Sequence, residues 1–390
     1  MPTLRAIAAR PSPVLFACLF ASQAALLVLS PVLTDIAREF HTSTAAAGQL
    51  RTILGAAGGV TAVSLALAGR RPGLRDMLLH GANLVLAGSV TSALAPSFAV
   101  LTFAQAVIGV GIGVIVAIGI AAAGEWAAPG DRAKTLAWAI AGMPAAWVVG
   151  MPLAGLAASA GWRVAWLVVA AGAAGLALGL LRLRPADPPS QRMVGATAAW
   201  RRPEVARFTM AELLANAAWA SVLTYSGALL IETYGASRGT VALGLGLVAA
   251  AMVPGTFVGR RVAPAATATQ LALLTISQGC AVIVLGVVRP APGLTLAVLA
   301  LMAFTNGCRS VLASSLGMDT ASDDKVAVMS LRASANQFGY LVGAAAGALA
   351  LALGGFAALG VVLAGLFAAG AILHVTPTSA PCPACESPAR

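Results

Sequence analysis

Long apolar runs separated by short polar or charged segments fill most of this chain. About 20 helical residues, rising 1.5 Å each, cross a hydrocarbon core of roughly 30 Å. Twelve runs are long enough, so the pattern predicts twelve membrane-spanning helices. Their predicted limits are 13–34, 45–68, 77–95, 99–124, 134–158, 162–182, 205–231, 238–258, 265–288, 293–317, 326–352 and 354–374.

The basic residues divide unequally between the two sides of the predicted membrane. With the N-terminus inside, 17 of the 24 Lys and Arg residues fall on the inner side, five on the outer side and two within spans. An excess of this kind marks the cytoplasmic side. We therefore predict a multi-pass protein of the inner (plasma) membrane with both termini in the cytoplasm, which requires an even number of spans.

The two halves of the pattern resemble each other. Gly69-Arg70-Arg71 after the second run has a counterpart at Gly259-Arg260-Arg261, and Asp131-Arg132 after the fourth run has one at Asp324-Lys325. Parallel repeats of this kind build one large class of transporters. The predicted regions are an N-terminal six-helix bundle at 1–182, a basic cytoplasmic linker at 183–204, a C-terminal six-helix bundle at 205–375 and a cytoplasmic tail at 376–390.

Composition excludes a soluble globular protein and gives no sign of an enzyme. Hydrophobic residues make up 59% of the chain and charged residues 9%, against about 25% charged in soluble domains. The net charge of +11 belongs to cytoplasmic loops rather than to a nucleic-acid site. Cys382 and Cys385 have metal or redox spacing but lack a second ligand pair. With no phosphate-binding loop and no nucleophile motif, we expect neither cofactor nor metal.

Short motifs in this chain resemble those of the major facilitator superfamily of transporters. The segment Gly69–Asp76 is similar to the family's loop between helices 2 and 3, with Arg70 and Arg75 at basic positions. Gln105 stands where the family's fourth helix usually carries an arginine, and Gly161-Trp162-Arg163 resembles the opening of its sixth helix. The fifth predicted helix is similar to a glycine- and proline-rich antiporter motif at Gly142, Gly150, Pro152 and Gly155.

This resemblance implies an all-α integral membrane protein with two pseudo-symmetric six-helix bundles. Within the superfamily the chain is most similar to the drug:proton antiporter and small-metabolite efflux branch. On this basis we expect a monomeric secondary transporter in the bilayer that exports a small organic molecule or drug in exchange for protons by alternating access. Two alternatives stay open: a facilitator or importer, which the departures at Gly69 and Gln105 favour, and a membrane receptor that binds without transport.

Ionisable residues inside spans are the first candidates for a substrate or proton site, because each costs at least ~2.5–3.5 kcal/mol to insert. Glu212 lies roughly 10 Å into the seventh predicted span, and Arg309 lies deep in the tenth. The two either tie helices together or exchange a proton, since burial favours a neutral acid and a nearby arginine favours the carboxylate. Further candidates for the cavity are Asp35, Asn216, Tyr225, Asn306 and Gln105.

Two groups of charges near span ends complete the predictions. Asp35, at the outer end of the first span, is either a solvated helix-end residue paired with Arg51 or, as the resemblance implies, a coupling acid. The resemblance also implies a cytoplasmic gate that holds the halves together. Its predicted members are Arg70, Arg75, Asp76, Glu125 and Arg332, and ordinary interfacial charge is the alternative.

Overall fold

The structure is a computed structural model that describes residues 11–67, 73–127, 132–183, 200–289, 291–320 and 325–376. Several sequence-based predictions lie outside the described residues. These are Arg70 with the rest of 68–72, most of the linker 183–204, and the tail beyond 376 with Cys382 and Cys385.

Helices account for nearly all of the described chain, and each overlaps a predicted span. The N-terminal half contains α1 Pro11–Leu27, α2 Leu29–Glu39, α3 Thr44–Leu67, α4 Leu74–Leu94, α5 Phe98–Glu125, α6 Arg132–Ala145, α7 Met151–Ser159 and α8 Trp162–Arg182. The C-terminal half contains α9 Pro203–Tyr234, α10 Arg238–Ala250, α11 Met252–Val262, α12 Ala268–Ile283, α13 Pro292–Thr320 and α14 Lys325–Val375. Short π-helical segments occupy Ala146–Gly150 and Val284–Val288, and a 3₁₀ turn occupies Ala263–Ala265.

Ten segments of the described chain are long and apolar enough to cross a membrane. One of them, Ser334–Val375, has 42 residues and includes most of the eleventh predicted span and all of the twelfth. It is broken at Gly354 and Gly355, and Gly355 has a φ of +62°, a left-handed conformation that suits a residue without Cβ. The 24-residue helix α3, which contains Arg51, is not among the ten. The chain is a multi-pass membrane protein.

Contacts between helix termini define the two ends of the molecule. Glu39, at the end of α2, accepts hydrogen bonds from Trp162 Nε1 and Arg163 Nη1, each at 2.5 Å. Arg163 also donates to the carbonyl of Ala95, just after α4, at 2.9 Å. We call this the Glu39 end. At the opposite end, called the Arg182 end, Arg75 donates from α4 to the last carbonyls of α8.

Small residues let helices approach closely, both within one half and between the two halves, as is usual between membrane helices. A Cβ atom at Gly343 of α14 would lie 2.0 Å from the Ala217 carbonyl oxygen of α9. Across the halves, a Cβ atom at Gly227 of α9 would lie 2.6 Å from the carbonyl oxygen of Ser30 in α2. A Cβ atom at Gly55 of α3 would lie 2.7 Å from a backbone nitrogen of α14. Helices α2 and α3 therefore pack directly on α9 and α14, and the centre of the molecule lies between them.

Candidate functional site

Glu212 lies at the centre of a buried charge cluster in the C-terminal half. Its side chain is fully buried, and its Oε1 accepts a hydrogen bond from Arg309 Nη1 at 2.6 Å. Its Oε2 accepts one from Arg332 Nε at 2.9 Å. His374 Nε2 lies 3.6 Å from Oε1. Helices α9, α13 and both ends of α14 thus converge on one carboxylate, and we call these four residues the Glu212 cluster.

The two arginines of this cluster have further polar contacts. Arg332 donates from Nη1 to Ser314 Oγ at 3.1 Å and from Nη2 to the Ser310 carbonyl at 3.2 Å. Arg309 Nε lies 3.5 Å from Asn306 Oδ1, which places that predicted candidate beside the cluster. With a neutral histidine, one carboxylate faces two guanidinium groups, so the cluster carries a net charge of +1.

Sequence reasoning placed Glu212 beside Arg309, and the structure brings these two together. It did not place Arg332 or His374 there. Arg332 lies seven residues into the eleventh predicted span and was assigned to the gate. His374 is the next-to-last residue of α14, a position where a polar side chain normally faces water, so the sequence carried no signal for its burial.

A second set of polar contacts joins the two halves at the Glu39 end. Asp35 Oδ1 accepts a hydrogen bond from Arg238 Nη2 at 2.5 Å, connecting α2 with α10. Thr44 donates from α3 to Glu232 Oε1 of α9, also at 2.5 Å. The Asp35 side chain is 4% exposed and its partner is not Arg51, so the expectation of a solvated Asp35 paired with Arg51 is corrected. The reason is that α10 starts directly against the end of α2.

Arg51 instead lies in the interior, where α1, α3, α9 and α14 meet. The residue is fully buried, and its Nη2 donates to the Leu26 carbonyl at 2.6 Å. Its Nε and Nη1 have no hydrogen-bond partner among the described residues. Tyr225 and Tyr340 of the C-terminal half pack on the same helix, α3, against Gly48 and Gly55 respectively. Sequence reasoning missed this residue because a basic side chain near a span end usually reaches the rim.

An apolar cavity lies between the two halves. Trp147 from the N-terminal half stacks on Trp219 from the C-terminal half, with ring centroids 6.2 Å apart and an angle of 22° between the rings. The lining residues are Trp147, Met151, Trp219, Val222, Leu223, Ser226, Leu245, Val248, Ala249, Met252, Leu299 and Ala303. Most of these lining side chains are apolar.

The remaining uncharged candidates bond to protein groups. Asn216 Nδ2 donates to the Asn336 carbonyl at 2.8 Å, and the Tyr225 hydroxyl donates to the Ala344 carbonyl at 3.1 Å. Both bonds join α9 to α14. Gln105 is fully buried within the N-terminal half, where its Nε2 donates to Ser92 Oγ at 2.9 Å. These side chains tie helices together.

Arg75 and Arg332, two of the predicted gate residues, make their contacts in different halves. Arg75 donates to the carbonyls of Leu180 and Leu181 and lies 3.7 Å from Asp76, all within the N-terminal half. Arg332 belongs to the Glu212 cluster of the C-terminal half. Glu125 is the last residue of α5. The cytoplasmic gate therefore stays a prediction.

The glycine- and proline-rich motif of the fifth span packs against two neighbouring helices. A Cβ atom at Gly142 would lie 2.3 Å from the Phe16 carbonyl oxygen of α1, and one at Gly150 would lie 3.4 Å from Ala24. Nearer the Glu39 end, Gly155 faces α10, and a Cβ atom at Gly246 of α10 would lie 2.4 Å from Pro152. The motif thus packs α6 on α1 and α7 on α10.

Within the ranges that the structure covers, no group of three or more His, Cys, Asp or Glu side chains is placed to hold a metal ion.

Comparison with known proteins adds a family and a fold. The model of the Major Facilitator Superfamily matches residues 15–328 of this chain. The "Uncharacterized MFS-type transporter YbcL" of Bacillus subtilis (strain 168) is 26% identical over 137 residues. That stretch is 35% of this chain and 35% of YbcL, so the chain matches about a third of the relative's length.

Solved structures with the same fold cover almost the whole chain. A POT family transporter in complex with 5-aminolevulinic acid has a TM-score of 0.77 at 13% identity, over 93% of this chain and 95% of that one. The human organic anion transporter MFSD10 (TETRAN) has a TM-score of 0.71 at 16% identity, over 95% and 100%. A bacterial homolog of human Spinster, inward-facing and unoccupied, has a TM-score of 0.70 at 15% identity, over 94% and 95%.

Proposed function

Because this chain belongs to the Major Facilitator Superfamily, we propose that it is a secondary transporter that exports a small organic molecule across the inner membrane by alternating access. We propose twelve crossings: the ten apolar segments, with α3 added and Ser334–Val375 divided at Gly354 and Gly355. An even number puts both termini on one side, and the excess of basic residues in the loops on that side supports a cytoplasmic location for it. The Arg182 end then faces the cytoplasm.

The observation that carries this proposal is the apolar cavity between the halves, under an end that is held shut. Trp147 and Trp219 contribute one wall from each half. The Asp35–Arg238 ion pair and the bond from Thr44 connect the halves at the Glu39 end. Rocking the halves about a fixed central site would break these contacts and open the cavity toward the other side, as alternating access requires.

Glu212 is our candidate for proton exchange. In the present state two arginines hold it as a carboxylate. Protonation would remove the negative charge that compensates Arg309 and Arg332, so these guanidiniums would repel each other and α13 would be pushed away from α14. A proton on Glu212 would thus favour a different packing of the C-terminal half, which is the link that antiport needs.

A facilitator without proton coupling is the second candidate. A fully buried carboxylate with two arginines at 2.6 and 2.9 Å is also an arrangement that serves only to hold helices in register. In that case Glu212 keeps its charge throughout the cycle, and a pH gradient has no effect on transport.

Purified protein in liposomes, with a pH-sensitive dye inside, distinguishes these cases. A library of small organic molecules is first screened for ligands that raise the melting temperature, and the flux of each ligand is then measured with an imposed pH gradient. Proton antiport predicts counter-movement of protons and loss of uphill flux when an ionophore collapses the gradient. A flux that is the same with and without the pH gradient supports the facilitator. Binding of a ligand without any flux contradicts transport and supports the alternative of a membrane receptor.

A further inference from the structure

Arg51 is a buried cation without a matching anion. It is fully buried, and no carboxylate of the described chain lies within ion-pair distance of it. The other buried arginines of the interior differ in this respect, since Arg309 and Arg332 share Glu212. An uncompensated charge in a low-dielectric interior is strongly unfavourable, and a protein that retains one usually supplies the counter-charge from a ligand or partner.

The bond to Leu26 leaves most of the guanidinium's hydrogen-bonding capacity unused. The carbonyl of Leu26 takes one of the two hydrogens on Nη2. The second hydrogen on Nη2 points in the same direction as a hydrogen on Nε or on Nη1, depending on which edge of the guanidinium the carbonyl leaves open. Neither Nε nor Nη1 has a partner among the residues described. A two-pronged donor of this shape matches a carboxylate or phosphate group.

The position of Arg51 is that of a ligand site rather than of a rim charge. Gly48 and Gly55, on either side of it along α3, lie against Tyr225 and Tyr340 respectively, so this face of α3 packs on the C-terminal half. The side chain also reaches α1 through Leu26, next to the break between α1 and α2. Arg51 thus lies where helices from both halves meet, and their relative movement uncovers it.

An apolar lining on the same part of α9 indicates the rest of the ligand. Tyr225, which packs against Gly48 of α3 three residues before Arg51, lines one apolar cavity in the C-terminal half. Trp219, Val222 and Ser226, within two turns of it, line the cavity between the halves. A molecule that fills this region has an apolar body and one anionic group.

We propose that Arg51 binds the carboxylate of the transported molecule, so that the substrate is a small apolar carboxylic acid in its anionic form. This inference rests on the proposed transport function for the word substrate, whereas the binding site itself stands on the unpaired guanidinium.

The test measures binding of matched anions and neutral molecules to the purified full-length protein. The carboxylates are benzoate and a series from acetate to decanoate, and each is compared with its primary amide at equal ionic strength by thermal shift titration. We expect at least one carboxylate to raise the melting temperature saturably while its amide does not. Arg51→Gln should weaken that carboxylate by about tenfold or more, because a hydrogen bond to a charged group is lost.

Two variants separate a ligand contact from a structural effect. Arg51→Lys keeps the charge but lacks the two-pronged donor, so it should fold and still bind the carboxylate more weakly than the native protein. Arg201→Gln removes an exposed arginine and the same charge, and should bind normally. If Arg51→Gln does not fold, the Lys variant decides.

Three results would overturn the inference. The first is that carboxylates bind the native protein no better than their amides do. The second is that Arg51→Lys and Arg51→Gln both bind the carboxylate as tightly as the native protein, and the third is that Arg309→Gln loses binding while the Arg51 variants keep it. Arg51-dependent binding without flux in liposomes would contradict transport and support the site, whereas flux of amides without preference for carboxylates would support transport and remove the site.

Discussion

Replacing Glu212 with Gln should destabilise the protein more than replacing either arginine that binds it. The carboxylate is fully buried and accepts charged hydrogen bonds at 2.6 and 2.9 Å. The two guanidinium charges and the one carboxylate charge give the cluster a net charge of +1 in the native protein (2 − 1). The net charge is +2 in Glu212→Gln and 0 in Arg309→Gln. Only the first change leaves two buried guanidiniums facing each other without an acid.

The magnitudes follow from the partners that stay behind. Leaving a buried charge uncompensated costs about 3–5 kcal/mol, which we expect for Glu212→Gln. In Arg309→Gln, Glu212 keeps its bond to Arg332, so the loss is that of one charged hydrogen bond, about 1–3 kcal/mol. The double variant Glu212→Gln/Arg309→Gln carries a charge of +1 in the cluster, as the native protein does. It should therefore be less destabilised than the sum of the single variants, because the sites share a partner.

Thermal unfolding in detergent, followed by tryptophan fluorescence, measures the order of these effects. Glu232→Gln on the same helix is the matched control, since its side chain is exposed and the amide oxygen still accepts from Thr44. It should stay within about 0.5 kcal/mol of the native protein. A Glu212→Gln variant as stable as the native protein, or less affected than Arg309→Gln, would refute the assignment of a compensated buried cluster.

Two further predictions concern the contacts between helices. Each of the single charge reversals Asp35→Arg and Arg238→Asp should open the Glu39 end. We expect the closed–open equilibrium to shift by about tenfold, because one charged hydrogen bond is lost. The double exchange should restore closure, and distances between spin labels on the two flanking loops check both outcomes; equal distances in all variants would contradict a closing role. Gly343→Ala should lower the melting temperature, since its Cβ would lie 2.0 Å from a carbonyl oxygen of α9 and overpacking costs about 1–3 kcal/mol or more. Gly365→Ala, with nothing within 4 Å, should be neutral or slightly stabilising, and a Gly343→Ala variant that behaves like it would argue against the close packing.

The helices could be predicted because lipid leaves a chain few choices. Apolar runs of membrane length must be helical to satisfy their backbone groups, and Pro, Gly and charge mark their limits. The same physics predicted Glu212 beside Arg309, since a charge inside a span needs a partner. The division of Ser334–Val375 was also readable, because Gly354 and Gly355 interrupt an otherwise continuous apolar run.

Contacts between distant helices could not be predicted in this way. Asp35 and Arg238 are 203 residues apart, and no local pattern records which span ends meet. His374 becomes buried only because the end of α14 folds back against α9 and Phe208, with ring centroids 6.0 Å apart. Arg51 was assigned to the rim because span limits from sequence are uncertain by several residues, and a basic residue near a limit is taken as solvated.

The two proposed sites share the same helices, and distance decides how they can communicate. Glu212 and Tyr225, which packs against α3 at Gly48 near Arg51, are 13 residues apart on α9 (225 − 212), or about 20 Å along the helix. At that separation two unit charges interact by only about 0.8 kcal/mol with an effective dielectric constant near 20, less than the coupling of about 1–3 kcal/mol usual between linked sites. A carboxylate at Arg51 thus affects proton exchange at Glu212 mainly by moving helices. Helix α9 carries Glu212 and Tyr225, and α14 carries Arg332 and Tyr340 in the same order. Both tyrosines pack on α3, so displacing this pair of helices from α3 changes both sites together.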